Sequence, residues 1–143
     1  MIGKLGLKIR ISVLWIFMAV AMSVHSILLM QEWVETVELP EVGEVFLIVI
    51  PEWVMAMDLT TTLFMMSLFW LVPLWMAFLT VFLKGSVNRW LNLIVGAVFT
   101  VFNIFHLTEP CAAMAPQKLI IVSTIVATAL IVWFAWKWPK KEE

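Results

Sequence analysis

Four long apolar stretches limit what this chain can fold into more than any other feature. The first runs from Ile11 to Met30 and is broken only by Ser12, Ser23, His25 and Ser26. The second extends from Leu59 to Leu83, with no charged residue between Asp58 and Lys84. The third covers Trp90 to Leu107 and the fourth Leu119 to Trp138. A helix rises about 1.5 Å per residue, so roughly 20 apolar residues cross the ~30 Å hydrocarbon core of a bilayer. Backbone groups in lipid must be satisfied within the segment, and runs of this length are too long for barrel strands. The sequence therefore predicts an all-α integral membrane protein, a single domain over 1–143 built as a four-transmembrane-helix bundle. Its spans fall at about 11–30, 59–83, 90–107 and 119–138.

Composition excludes the soluble alternative. Only 13% of residues are charged, about half the usual share for a water-exposed surface. Lys4, Lys8 and Arg10 followed by Ala19-Val20-Ala21 resemble a secretory signal. The apolar run continues to Met30, however, beyond the length of a signal core, and reads as a membrane span. The single cysteine, Cys111, leaves no internal disulfide. No phosphate-binding loop, zinc-finger spacing or basic nucleic-acid patch is present, and no cofactor is specified.

Charge gives the orientation. Eight of the nine basic residues flank the membrane on the side of the termini and the second connection, and only Lys118 falls opposite. By the positive-inside rule that side is cytoplasmic. Glu32, Glu35, Glu38, Glu41, Glu44, Glu52, Asp58 and Glu109 fall on the other side. The expectation is a multi-pass cell-membrane protein with both termini cytoplasmic and an extracytoplasmic loop over 31–58.

That loop opens with "EWVETVELPEVGE", residues 32–44, with a glutamate at every third position. At 100° per residue each three-residue step drifts by about 60°, so the five do not share one helix face. A solvated loop is the plain reading and a low-affinity divalent-cation site the sharper one. The following "VFLIVIPEWVMAM", residues 45–57, is too short to span and reads as an interfacial cap, with Pro51 and Glu52 suited to a helix start. Trp33 and Trp53 fit an outer aromatic belt, and Trp90, Trp133, Trp136 and Trp138 an inner one. Trp70 and Trp75 fall mid-span, as packing residues or as the apolar wall of a ligand site.

Intramembrane polar residues are costly and mark candidate sites. In the third span Asn92, Gly96, Phe99 or Thr100, Asn103 and His106 recur at three- and four-residue steps, forming a seam for close packing or a polar path. His25 lies in the outer third of the first span. His106 ends the third, with Glu109 one turn on and Pro110 as a stop. If antiparallel neighbours bring them to one depth, His25, His106 and Glu109 form a ligand or proton site, with Asn103 beneath. Histidine titrates near neutrality, which suits proton exchange. Met22, Cys111 and Met114 with the two imidazoles would instead suit copper. Plain packing histidines are the bland alternative.

Three stretches carry a resemblance: "IRISVLWIFMAVAM" (residues 9–22), "VPLWMAFLTVFLKGSVNRWLNLIVG" (72–96) and "IVWFAWKW" (131–138). Together they resemble a family of small four-helix prokaryotic integral membrane proteins classed as a domain of unknown function. Asn88-Arg89-Trp90-x-Asn92 and the closing Trp-Lys-Trp are its most specific parts. The resemblance implies a topology and no activity. Three functions stay open: a non-enzymatic membrane protein binding or passing a small hydrophobic ligand or ion, an accessory subunit of a larger membrane complex, and a membrane enzyme on a lipid-like substrate using His and Glu. The lipid bilayer and either a homo-oligomer or partner membrane subunits are the expected partners, with no nucleic acid.

Overall fold

The computed structural model describes residues 2–36, 59–108 and 115–138. Four helices account for nearly all of them: α1 Ile2–Thr36, α2 Leu59–Phe82, α3 Gly85–His106 and α4 Ala115–Trp136. Three are long and apolar enough to cross a membrane, namely Leu5–Leu28 within α1, Gly85–His106 and Ala115–Trp136, and the shorter apolar part of α2 runs Ser67–Phe82. The cap expected at 45–57 lies outside the described residues, as do Glu38, Glu41 and Glu44.

The helices outrun the apolar stretches. α1 begins nine residues before Ile11 and ends six after Met30, so Glu32 and Glu35 stand on a helix, not in the expected loop over 31–58. Nothing between Met30 and Thr36 opposes helix: Gln, Glu and Trp are all tolerated there, and the first breaker is Pro40. α3 starts at Gly85, five residues before Trp90. Gly85 has φ 65°, which a residue without Cβ adopts freely, and this lets α2 turn back through only Leu83 and Lys84. α4 starts at Ala115 with Pro116 in its first turn, where the missing N–H is not needed. Apolar content marks the part of a helix suited to lipid, whereas the helix itself runs until a breaker or a cap.

α1 packs against α2 and α4, and α3 against α4, while α2 and α3 approach mainly at their turn and through large side chains. The pairings fix direction. Ser12 meets Ala77 and Lys8 meets Leu83, so α1 and α2 are antiparallel. Trp15 meets Asn92 and His25 meets His106, so α1 and α3 face one another across the interior and run the same way. The core consists of Ile11, Trp15 and Met18 of α1, Met76 and Ala77 of α2, Phe99 of α3, Ile131 of α4 and Trp138 just beyond it. Phe69 fills the wider α2–α3 gap, stacked on Phe99 with centroids 4.6 Å apart and tilted against Phe102 at 4.5 Å.

The α3–α4 contact depends on Gly96. A Cβ there would come within 3.1 Å of Ile131 Cγ2 and of Val132 Cγ2, so the absent side chain sets how near the two backbones come. In lipid, where apolar burial between helices gives little drive, such close packing and interhelical hydrogen bonds supply the association.

Candidate functional site

The polar side chains gather at two levels. At the end carrying Lys8 and Arg89, Asn92 is a hub. Its Oδ1 accepts from Trp15 Nε1 at 2.7 Å and lies 3.0 Å from Thr80 Oγ1, whose single hydrogen it shares with the Met76 carbonyl at 2.7 Å. Its Nδ2 donates to Asn88 Oδ1 at 2.7 Å and to the Asn88 carbonyl at 2.9 Å. Asn88 Nδ2 in turn donates to the carbonyls of Thr80 and Leu83, at 2.8 and 3.0 Å. Each amide nitrogen has two hydrogens and both are used. Trp15, Thr80, Asn88 and Asn92 are all fully buried, so the cluster is a dry, satisfied lock joining α1, α2 and α3.

Cations close the same end. Lys8 Nζ donates to the Leu83 carbonyl at 2.6 Å and to the Val81 carbonyl at 3.3 Å, and Arg89 Nε donates to the Ala135 carbonyl at 3.3 Å. These carbonyls end α2 and α4, where partial negative charge collects and a cation is favourable. Trp90, Trp133 and Trp136 are exposed here, as an interfacial belt requires. Trp138 is not: it is buried, with no partner for its indole N–H among the described residues.

At the opposite end the two histidines meet. His25 Nε2 and His106 Nε2 are 3.0 Å apart, joining α1 to α3. The ring centroids are 5.1 Å apart and the planes nearly perpendicular, at 83°. A centroid separation only 2.1 Å longer than the Nε2 separation means the rings point at each other almost end to end. One Nε2–H therefore donates to the bare Nε2 of the other ring. Phe102 stacks on His106 with centroids 6.0 Å apart. The contact arises between parallel helices facing across the interior, not between the antiparallel neighbours expected from sequence.

Asn103 is buried below the pair, with Nδ2 3.9 Å from Met18 Sδ, a weak bond to a thioether. From Asn103 to Asn92 is about 16 Å along α3 at 1.5 Å per residue. Buried Met18, Phe99 and Trp15 fill that interval, and the hydroxyls of Thr100, Thr124 and Thr128 each donate to carbonyls of their own helix. The buried face of α3 is Asn88, Asn92, Gly96, Phe99 and Asn103, so it takes in the predicted stripe from Asn92 to Asn103, while His106 is only partly buried. Its polar members are separated by an apolar plug.

The two mid-span tryptophans part company. Trp70 lines a half-open groove of about 350 Å³ between α1 and α2, with Ala19, Met22, Ser23 and Ser67 among its walls. Trp75 is 58% exposed and packs edge-on against Phe78 on the outward face of α2, so it walls no interior site. Glu109, Cys111 and Met114 lie outside the described residues, which hold no group of three or more His, Cys, Asp or Glu suited to a metal. Gln117, at the histidine end of α4, is 2% exposed, and its Oε1 has no hydrogen-bond partner among the described residues.

Sequence reasoning missed the Asn92 lock. Asn88 and Asn92 one turn apart were a visible signal. That they belong with Trp15 and Thr80 depends on tertiary placement.

Comparison with known proteins yields no match to a family model, to a curated protein or to a solved structure. The site therefore has to be read on its own chemistry.

Proposed function

We propose that this chain is a small, non-enzymatic integral membrane protein that binds a small ligand or ion at a mouth built on His25 and His106. In this reading the chain spans the membrane four times. Both termini and the Lys8–Arg89 end face the cytoplasm, and the histidine end faces outward, as the charge asymmetry favours. The observation that carries the proposal is the end-on approach of the two Nε2 atoms, 3.0 Å apart. Two titratable rings held head to head at intramembrane depth are costly, and packing alone does not call for them. Binding is favoured over passage because Met18, Phe99 and Trp15 occlude the interval between Asn103 and Asn92. The groove beside Trp70 offers room for an apolar ligand portion next to α1.

Kinship with the small four-helix membrane family is proposed on the same footing. The place of Asn88 and Asn92 at the centre of the lock gives its Asn-Arg-Trp-x-Asn turn a structural reason. The accessory-subunit alternative has one feature in its favour, the outward aromatic ladder of Trp75, Phe78 and Phe82 on α2, which suits a partner helix as well as lipid.

The test uses the two histidines of the chain as reporters. Untagged protein in sealed vesicles is treated with diethyl pyrocarbonate added on one side at a time, and carbethoxylation is located by mass spectrometry. Modification of His25 or His106 from the outer side alone is expected. Two rings inert from both sides would mark a sealed packing pair and overturn the proposal.

A further inference from the structure

We infer that the ligand of the His25–His106 pair is a transition-metal ion of the copper or zinc class, held between the two Nε2 atoms. This rests on reading the pair as a ligand site and names its occupant. Imidazole nitrogen suits copper, zinc, nickel and iron, whereas magnesium and calcium seek oxygen. Both rings already direct the ligating atom at a common point: Nε2 to Nε2 is 3.0 Å while the centroids are 5.1 Å apart. An ion about 2.0 Å from each nitrogen needs the two nitrogens roughly 3.3 Å apart for a tetrahedral angle and about 4 Å apart for a linear one. The pair must therefore open by a few tenths of an ångström to about 1 Å, a movement that side-chain rotation supplies. The two rings stand on α1 and α3, which meet here through side chains, so no helix–helix seam has to separate.

The proton balance is simple. In the hydrogen-bonded pair one neutral ring carries its proton on Nε2 and the other on Nδ1. When the ion enters, the first ring shifts its proton from Nε2 to Nδ1 by way of water, and both bare Nε2 atoms ligate. No net proton is released and no electron moves. Copper is favoured over zinc because it binds more tightly at nitrogen sites in the general affinity order. No third His, Cys, Asp or Glu among the described residues joins the pair.

The experiment is pulsed electron paramagnetic resonance on the untagged full chain in lipid with one equivalent of Cu(II). The chain has only two histidines, so a two-imidazole signature at one copper per chain identifies both. The expected result is remote-nitrogen modulation from two imidazoles. His25→Gln should reduce it to one and weaken copper binding at least tenfold. No bound copper, or a spectrum from a single imidazole in the wild-type chain, overturns the assignment. If His25→Gln loses its helical circular dichroism, the wild-type spectrum decides alone. Outer-side carbethoxylation without copper binding removes the metal and leaves the ligand mouth standing.

Discussion

The two polar levels of this molecule use similar residues for opposite ends. Around Asn92 every amide hydrogen is placed, all four side chains are buried, and three helices are tied at once. At the histidine end the Nε2 contact links two rings, Asn103 Nδ2 meets the Met18 thioether, and Gln117 Oε1 is buried without a partner among the described residues. A buried polar network is stabilising when every member is satisfied, and an unsatisfied group is costly. The difference teaches where to look for function. The saturated cluster has its hydrogen-bonding groups occupied by one another, and the histidine end is where the proposed ligand would sit.

That contrast can be broken from the saturated side first. Asn92→Leu strands the Trp15 indole N–H in the core and takes the partner from Asn88 Oδ1. An unpartnered buried group costs about 1–3 kcal/mol, so a loss of about 2–4 kcal/mol is expected in reversible unfolding in mixed micelles. A loss below about 0.5 kcal/mol would show that the lock does not hold the helices. Gly96→Val comes next, because its added methyls meet Ile131 and Val132. Overpacking of this kind costs about 1–3 kcal/mol, and the same unfolding assay should record it. Smallest in stability is His25→Gln. A single interhelical hydrogen bond in a membrane protein is worth about 0.6 kcal/mol on average, and a glutamine retains part of it. The variant should unfold within about 1 kcal/mol of wild type. A destabilisation as large as that of Asn92→Leu would make the histidine end a second lock and erase the distinction.

Much of the fold was legible because apolar runs and breakers are local signals. The four stretches predicted four helices, and the described residues form four. Their ends were less legible, since hydropathy reports where lipid is tolerated and says little about where hydrogen bonding stops. α1 accordingly runs through Glu32 and Glu35. The candidate site was legible in part. His25 and His106 are the only imidazoles in the chain, and the structure brings them together. Their contact comes through parallel helices, a long-range arrangement that no spacing encodes. Trp75 carries the same signal as Trp70 in the sequence, and only packing sends one to a groove and the other outward. The Asn92 lock was hidden for a similar reason: Trp15 in an apolar run looks like any other core aromatic until its indole N–H has a destination.

The turn at Leu83 and Lys84 constrains how the molecule is assembled. With two residues between α2 and α3, the two helices are tied end to end and behave as one hairpin. The Lys8 ammonium on the carbonyls of Val81 and Leu83 then acts as a latch from α1. It closes only when that hairpin stands beside α1, so one lysine reports whether three helices have come together.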